Sequence, residues 1–202
     1  MKGWLLGRYN FLAWYYRRLE SIIIDRYLGI DTRGYVDTVL PDNPDAKACE
    51  TLYYWHLQKI FDHVNIRKGD VFYDLGCGYG RVLFYSAERG FDKVEGFELR
   101  PEVCSLAAEN IVNYRNREKH DIVVTCIDVV DVDMSNADVI FMFNPFGINT
   151  LKKVMEKLKS HSKPLKIIYF YNESKDCEAY MDSLKWTNVE KIKEFWCKIY
   201  SS

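Results

Sequence analysis

The residues best placed to do chemistry stand together at positions 74–81, in the run Asp74-Leu75-Gly76-Cys77-Gly78-Tyr79-Gly80-Arg81. The apolar stretch Val71-Phe72-Tyr73 leads into it, and a helical pattern begins near Arg81. Glycines here let the backbone turn sharply and approach a ligand with no Cβ in the way. A helix start behind such a loop offers unpaired N–H groups and a partial positive charge. Dinucleotide-binding loops use G-x-G-x-x-G, with a pyrophosphate on that helix end. This loop instead reads G-x-G-x-G, and Asp74 stands two positions before its first glycine, where it can receive an ammonium group. The pattern suits a cationic, zwitterionic ligand better than a pyrophosphate.

S-adenosylmethionine is the ligand expected from these features, with NAD as the alternative. Its contacts are assigned to Asp74, Gly76, Cys77, Gly78 and Gly80 in the loop. Twenty-two residues after Gly76, an apolar run ends in Glu98-Leu99. A carboxylate at the tip of a second strand can accept both ribose hydroxyls, as it does in dinucleotide folds. Leu99 then offers an apolar face near the adenine. The bland reading of Glu98 is an exposed strand-end carboxylate. Asp128, followed by Val129, ends a third apolar run and is placed to accept from the adenine amino group. Asp131 and Asp133 stand close enough to take that role, and any of the three can be a solvated loop acid.

The fourth apolar run, Val139–Phe143, ends in Asn144-Pro145-Phe146-Gly147. In an open α/β sheet ligands sit outside the carboxyl ends of the strands, so this turn faces the transferred group. The Asn144 side-chain oxygen and the carbonyls around Pro145 are fixed acceptors for an amino group. Phe146 can pack against the substrate or face the sulfonium through a cation–π contact. The bland reading is an ordinary strand-ending turn. Methyl transfer from a sulfonium is an in-line displacement, in which alignment and exclusion of water supply much of the acceleration. It demands no metal. His56, His63, His120 and His161 show no catalytic pairing.

The elements that must position these groups follow from periodicity. Strands are predicted at Val71–Tyr73, Lys93–Phe97, Ile122–Cys126, Val139–Phe143 and Leu165–Phe170, with helices over 81–89, 101–117 and 150–160 between them. Such alternation means βαβ units and a parallel sheet buried on both faces. Trp186–Ile192 and Phe195–Tyr200 read as two further strands, an antiparallel addition at the sheet's end. Upstream, Leu5, Tyr9, Leu12, Tyr16, Leu19 and Ile23 recur at spacings of four and three, on one stripe of a helix ending near Gly29. That stripe is expected to pack on its own domain, the alternative being a helix lying on a bilayer. A turn-rich connection holding Pro41, Asn43 and Pro44 follows, then a second helix over 50–64.

Composition sets the remaining bounds. The 202 residues are 48% hydrophobic with a net charge of -1, enough for a substantial core and without a strongly basic surface for nucleic acid. The six cysteines are scattered with no C-x-x-C pair, as expected of reduced thiols in a cytoplasmic protein. No stretch approaches the roughly 18 apolar residues that span a bilayer.

Together, the 74–81 loop, Glu98, Asp128 and Asn144-Pro145-Phe146-Gly147 resemble the successive motifs of class I, seven-stranded, adenosylmethionine-dependent methyltransferases. The resemblance implies a Rossmann-like mixed sheet with helices on both faces over residues 67–202. Residues 1–66 would then be an N-terminal helical extension that caps the cofactor. Asp25-Arg26-Tyr27-Leu28-Gly29-Ile30-Asp31-Thr32-Arg33-Gly34 resembles the D-R-x-x-G-[IV]-D-T-x-G segment of small bacterial methyltransferases. Those commonly continue with a Y-x-P-T-like stretch. Here Ala48-Cys49-Glu50-Thr51 takes its place, leaving Tyr53 or Tyr54 to stand in for the missing tyrosine. Asn144–Gly147 also resembles the N-P-P-[YF] motif of amino-group methyltransferases, lacking its second proline and final aromatic. That points to a nitrogen acceptor, adenine and glutamine included. Some seven-stranded protein lysine methyltransferases share the D-x-G-x-G-x-G-R loop, which adds a protein lysine. The alternatives are an NAD-dependent oxidoreductase and a non-catalytic cofactor-binding or membrane-associated module.

Overall fold

The structure, a computed structural model, describes residues 2–36, 43, 45–171, 174–192 and 195–202, with side chains from residue 12 onward. Pro41, Pro44 and the side chains of Leu5 and Tyr9 lie outside the described residues.

Among the described residues seven strands form one sheet in the order β3-β2-β1-β4-β5-β7-β6. These are β1 (Val71–Leu75), β2 (Lys93–Glu98), β3 (Asp121–Cys126), β4 (Val139–Phe143), β5 (Lys166–Phe170), β6 (Asn188–Ile192) and β7 (Cys197–Ser201). The first five are parallel, and β7 runs antiparallel between β5 and β6. This is the Rossmann-like mixed sheet with a terminal hairpin expected from the sequence.

Period-two alternation divides the core. Phe72, Val139, Phe141 and Ile168 point to one face and pack with Phe61, Phe84 and Tyr114. Tyr73, Ile140, Met142 and Ile167 point to the other, against Leu151, Val154 and Met181. Side chains this size contribute about 1.5–3 kcal/mol each when fully buried. The first face is covered by α2 (Tyr54–Phe61), α3 (Arg81–Glu88) and α4 (Pro101–Asn113), the second by α5 (Ile148–Leu158) and α6 (Lys175–Ser183).

Three elements depart from expectation. The helix expected over 50–64 is shorter, because residues 45–53 run extended across the sheet's carboxyl edge before α2 begins. The helix α6 was not expected at all: only Cys177 and Met181, four apart, are buried on it, too few apolar positions to mark a helix.

The third departure is α1 (Lys2–Leu28). It does pack on the domain, but through Ser21, Asp25 and Leu28, which are buried, rather than through the apolar stripe. Leu12, Tyr16 and Ile23 of that stripe are exposed at 45%, 67% and 65%. Among the described residues no helix is long and apolar enough to cross a membrane.

Candidate cofactor and methyl-acceptor site

The loop after β1 is shaped by backbone geometry. Gly76 has φ +84°, and a Cβ on it would lie 2.4 Å from the Cβ of Pro145, so the loop touches the turn after β4. The Gly76 and Cys77 amides both donate to the Phe97 carbonyl on β2, at 2.8 and 3.1 Å. Gly80 caps α3 in the left-handed region. The loop is thereby held between β2 and β4, with the start of α3 behind it.

Two carboxylates stand at the ends of neighbouring strands. Asp74 on β1 is 2% exposed, and its Oδ2 has no hydrogen-bond partner. Burial, and then the nearby charge of Glu98, raise its pKa well above the ordinary carboxylate range. Glu98 at the end of β2 is 4% exposed. Its Oε2 accepts from the Gly78 amide at 3.1 Å, and its Oε1 accepts from the Leu99 and Arg100 amides at 2.9 and 3.0 Å. A carboxylate has about four lone-pair sites, so Glu98 keeps acceptor capacity. Glu98 is therefore a buried, held group, not an exposed strand end.

Asp128 caps a short 3-10 turn over Val129–Asp131, its Oδ1 accepting from the Val130 amide at 3.0 Å. Its Oδ2 faces the Asn43 amide nitrogen at 3.5 Å. Asp128 and Val129 line a cavity with Gly76, Glu98, Leu99, Pro145 and Phe146. Asp74, Cys77, Gly78, Gly80 and Asn144 do not line it. Cys77 is buried against the position a Cβ on Gly96 would occupy. Asn144 has φ +40°, and its Oδ1 accepts from the Ser174 hydroxyl at 2.7 Å, so that acceptor is engaged within the chain.

The cavity is about 50 Å³, and Asn43 with residues 46–50 forms one wall of it. This strap is stitched to the turn after β4. The Lys47 amide donates to the Pro145 carbonyl at 3.1 Å, and the Gly147 amide donates to the Asp45 carbonyl at 2.7 Å. Asp45 also caps α5, its Oδ2 accepting from the Thr150 amide at 2.7 Å. Arg100 donates to the Lys47 carbonyl at 2.8 Å. Cys49, with its thiol pushed up to about 12 by burial, ends the strap beside Gly78. Pattern reading missed Asp45, Lys47 and Arg100, since in each of these bonds at least one partner is a backbone group.

A second polar cluster secures the loop from outside. Arg81, the first residue of α3, donates to Thr32 Oγ1 at 2.7 Å, the Leu52 carbonyl at 2.8 Å and Asp25 Oδ2 at 3.0 Å. Asp25 also accepts from the Tyr54 hydroxyl at 2.6 Å, so Tyr54 is committed there and does not line the cavity. Tyr53 stacks on His56 instead. Asn110 on α4 exchanges hydrogen bonds with the Asp31 backbone and donates to the Tyr79 carbonyl. The 25–34 segment is thus a clamp on the glycine loop, and its only sequence signal was the resemblance that named it.

The residues present fit adenosylmethionine. An unpartnered buried carboxylate stands ready for a cation, a second at the next strand keeps acceptor capacity, and Leu99, Val129 and Phe146 give the cavity apolar walls.

Comparison with known proteins bears on the same stretch. The family model of histone methylation protein DOT1 matches residues 49–195. A histone-lysine N-methyltransferase, H3 lysine-79 specific, of Dictyostelium discoideum is 32% identical over 111 residues, covering 49% of this chain and 6% of that protein. A protein-lysine N-methyltransferase of Saccharolobus islandicus (strain REY15A) is 29% identical over 109 residues, covering 54% of this chain and 65% of that protein. The matches thus span less than two thirds of either relative. Among solved structures, an RNA methyltransferase from Salinibacter ruber in complex with S-adenosyl-L-homocysteine matches with a TM-score of 0.55 at 16% identity, over 75% of this chain and 92% of that one. A SAM-dependent methyltransferase from Aquifex aeolicus gives 0.52 at 18% identity, over 73% and 87%. At these identities the two structures share the fold.

Proposed function

From the premise that the chain belongs to the histone methylation protein DOT1 family, a methyltransferase family, we propose that it transfers a methyl group from S-adenosylmethionine to a lysine side chain of a protein. The observation that carries this reading is the family match over residues 49–195, joined by two relatives named as lysine N-methyltransferases. The same membership favours adenosylmethionine over the nicotinamide dinucleotide weighed from the loop alone.

The bound cofactor supplies an electrophilic methyl on a sulfonium. The chain's own residues do the rest. Asp74 and Glu98 accept from the polar ends of the ligand, while Leu99 and Val129 offer apolar contact. Pro145 and Phe146 form the acceptor side, and Asn144, held by the Ser174 hydroxyl, positions the turn that carries them. A lysine amine must be neutral to act as a nucleophile, and apolar surroundings lower its pKa by disfavouring the charged form. Phe143 and Phe146 line the cavity where this desolvation occurs. The Pro145 carbonyl accepts from the Lys47 amide at 3.1 Å, which holds the turn after β4 in place.

The test is transfer of labelled methyl from adenosylmethionine to lysine-rich proteins, RNA and small amines in parallel. Methyl-lysine found by mass spectrometry in the protein arm is the expected result. Label in RNA, in adenine or in glutamine, with none in lysine, would overturn the acceptor assignment. A cytoplasmic location belongs to the same proposal, supported by free thiols, five of the six buried.

A further inference from the structure

Two cysteines outside the cavity are brought to one backbone group. The register sets Cys126, the last residue of β3, beside Glu98 on β2. The Glu98 carbonyl points across to β3, where it accepts from the Ile127 amide at 3.0 Å. From α4 the Cys104 thiol donates to that same carbonyl at 3.3 Å. Side chains two apart on a strand share a face. Ile122 and Val124, which precede Cys126 at that spacing, join the core face that α4 covers. Cys126 therefore projects from β3 toward the helix that carries Cys104. Burial, and then a hydrogen bond with Cys126, raise the Cys104 pKa, as befits a thiol held against its neighbour. Cys126 is exposed, whereas the other five cysteines are buried. One sulfur of the pair meets solvent and the other is closed off behind it.

We propose that Cys104 and Cys126 form a reversible disulfide in response to a peroxide, tying the first turn of α4 to the end of β3 beside Glu98. With hydrogen peroxide, the Cys126 thiolate attacks one oxygen. An S–O bond forms, the O–O bond breaks, and the departing hydroxide takes up the thiol's proton as water. The Cys104 sulfur then attacks the Cys126 sulfur. The S–S bond forms, the S–O bond breaks, and this hydroxide takes the Cys104 proton as a second water. Two thiols thus give up two electrons, and one peroxide is reduced to two waters. Disulfides of cytosolic proteins are usually transient ones of this kind, catalytic or redox-sensing. The tie also reaches the chain that holds the Glu98 carboxylate. The Cys104 amide donates to the Arg100 carbonyl at 2.9 Å, and the Arg100 amide donates to Glu98 Oε1 at 3.0 Å.

Thiol counting and peptide mapping of the full chain test this. The reduced protein is treated with hydrogen peroxide, quenched with catalase, denatured and alkylated. The expected result is the loss of two of the six thiols, a mass lower by two hydrogens, and full recovery with dithiothreitol. Trypsin cuts at Arg115, Arg117 and Lys119, so the two cysteines leave as separate peptides joined only by the disulfide. In Cys104→Ser the crosslink is absent, and Cys126 is trapped by dimedone as the sulfenic acid. A natural-sequence chain that keeps all six thiols overturns the proposal. So does a disulfide that joins any other pair or two chains, or a Cys126 that passes to the sulfinic acid while Cys104 stays free.

Discussion

Asp25 on the last turns of α1 and Arg81 at the start of α3 form an ion pair at 3.0 Å, with side chains only 2% and 4% exposed. It joins the N-terminal helix to the loop expected to hold the cofactor. Removing one partner of a buried pair leaves the other charged and unpaired, at a cost of about 3–5 kcal/mol. Asp25→Ala should therefore lower the unfolding free energy by about that much in urea denaturation. Arg33→Ala breaks an ion pair with Asp31 whose side chains are 50% and 60% exposed, and should cost under about 1 kcal/mol. Equal costs in the two variants would refute the clamp.

Asp74 carries a second consequence. Its pKa is raised in the folded state, so the fold binds more protons than the unfolded chain between the ordinary carboxylate range and the raised value. The ligand-free protein loses stability as pH rises through that window. Asp74→Asn removes the buried charge and should raise the melting temperature at neutral pH without cofactor. The same change should weaken S-adenosylhomocysteine binding at least about tenfold in calorimetric titration. A variant less stable than the natural chain, or one that binds undiminished, contradicts this account.

His56 lies among Trp55, Phe170 and Phe195, with its pKa lowered to about 4 by burial and by the charge of Arg17. The unfolded chain takes up a proton near 6.5, the folded one only near 4. The neutral histidine's contribution is thus full above 6.5 and is lost as pH falls toward 4. Chemical denaturation across that range should show a slope in stability that His56→Phe reduces. An identical slope in both proteins would mean that other groups produce it.

Gly76 separates backbone strain from contact. A left-handed residue with a Cβ costs roughly 1–2 kcal/mol wherever it stands. At Gly76 the added Cβ also meets Pro145 at 2.4 Å, whereas at Gly69, φ +89°, it meets nothing within 4 Å. Gly76→Ala should abolish S-adenosylhomocysteine binding, while Gly69→Ala binds normally with a slightly lower melting temperature. Normal binding by Gly76→Ala would show that the loop need not touch the turn after β4.

How much of this was readable from the chain depends on what each residue does with its side chain. The parallel strands were legible because both faces of β1, β4 and β5 are buried, so each reads as a continuous apolar run. Glu98 and Asp128 were legible as positions because each ends an apolar run downstream of the glycine loop, although the sequence left a solvated acid open for both. The direction of α1 was not: periodicity finds an apolar stripe without saying what it faces, and the side that meets the domain carries Ser21 and Asp25. The strap was hidden for another reason. Lys47, and Asp45 apart from its cap on α5, act through backbone N–H and C=O groups, which are common to the chain. Asn144 was found as a residue but not as an arrangement, since the partner of its Oδ1, Ser174, lies thirty positions on.

The contact between Gly34 and Tyr79 bears on how this sequence can drift. A Cβ on Gly34 would lie 2.1 Å from the edge of the Tyr79 ring, inside the atoms themselves. A larger residue at 34 therefore requires the Tyr79 ring to swing aside or to be replaced by a smaller side chain. Two sites 45 positions apart thus share one volume, and the room at residue 34 is set by where the residue-79 side chain lies.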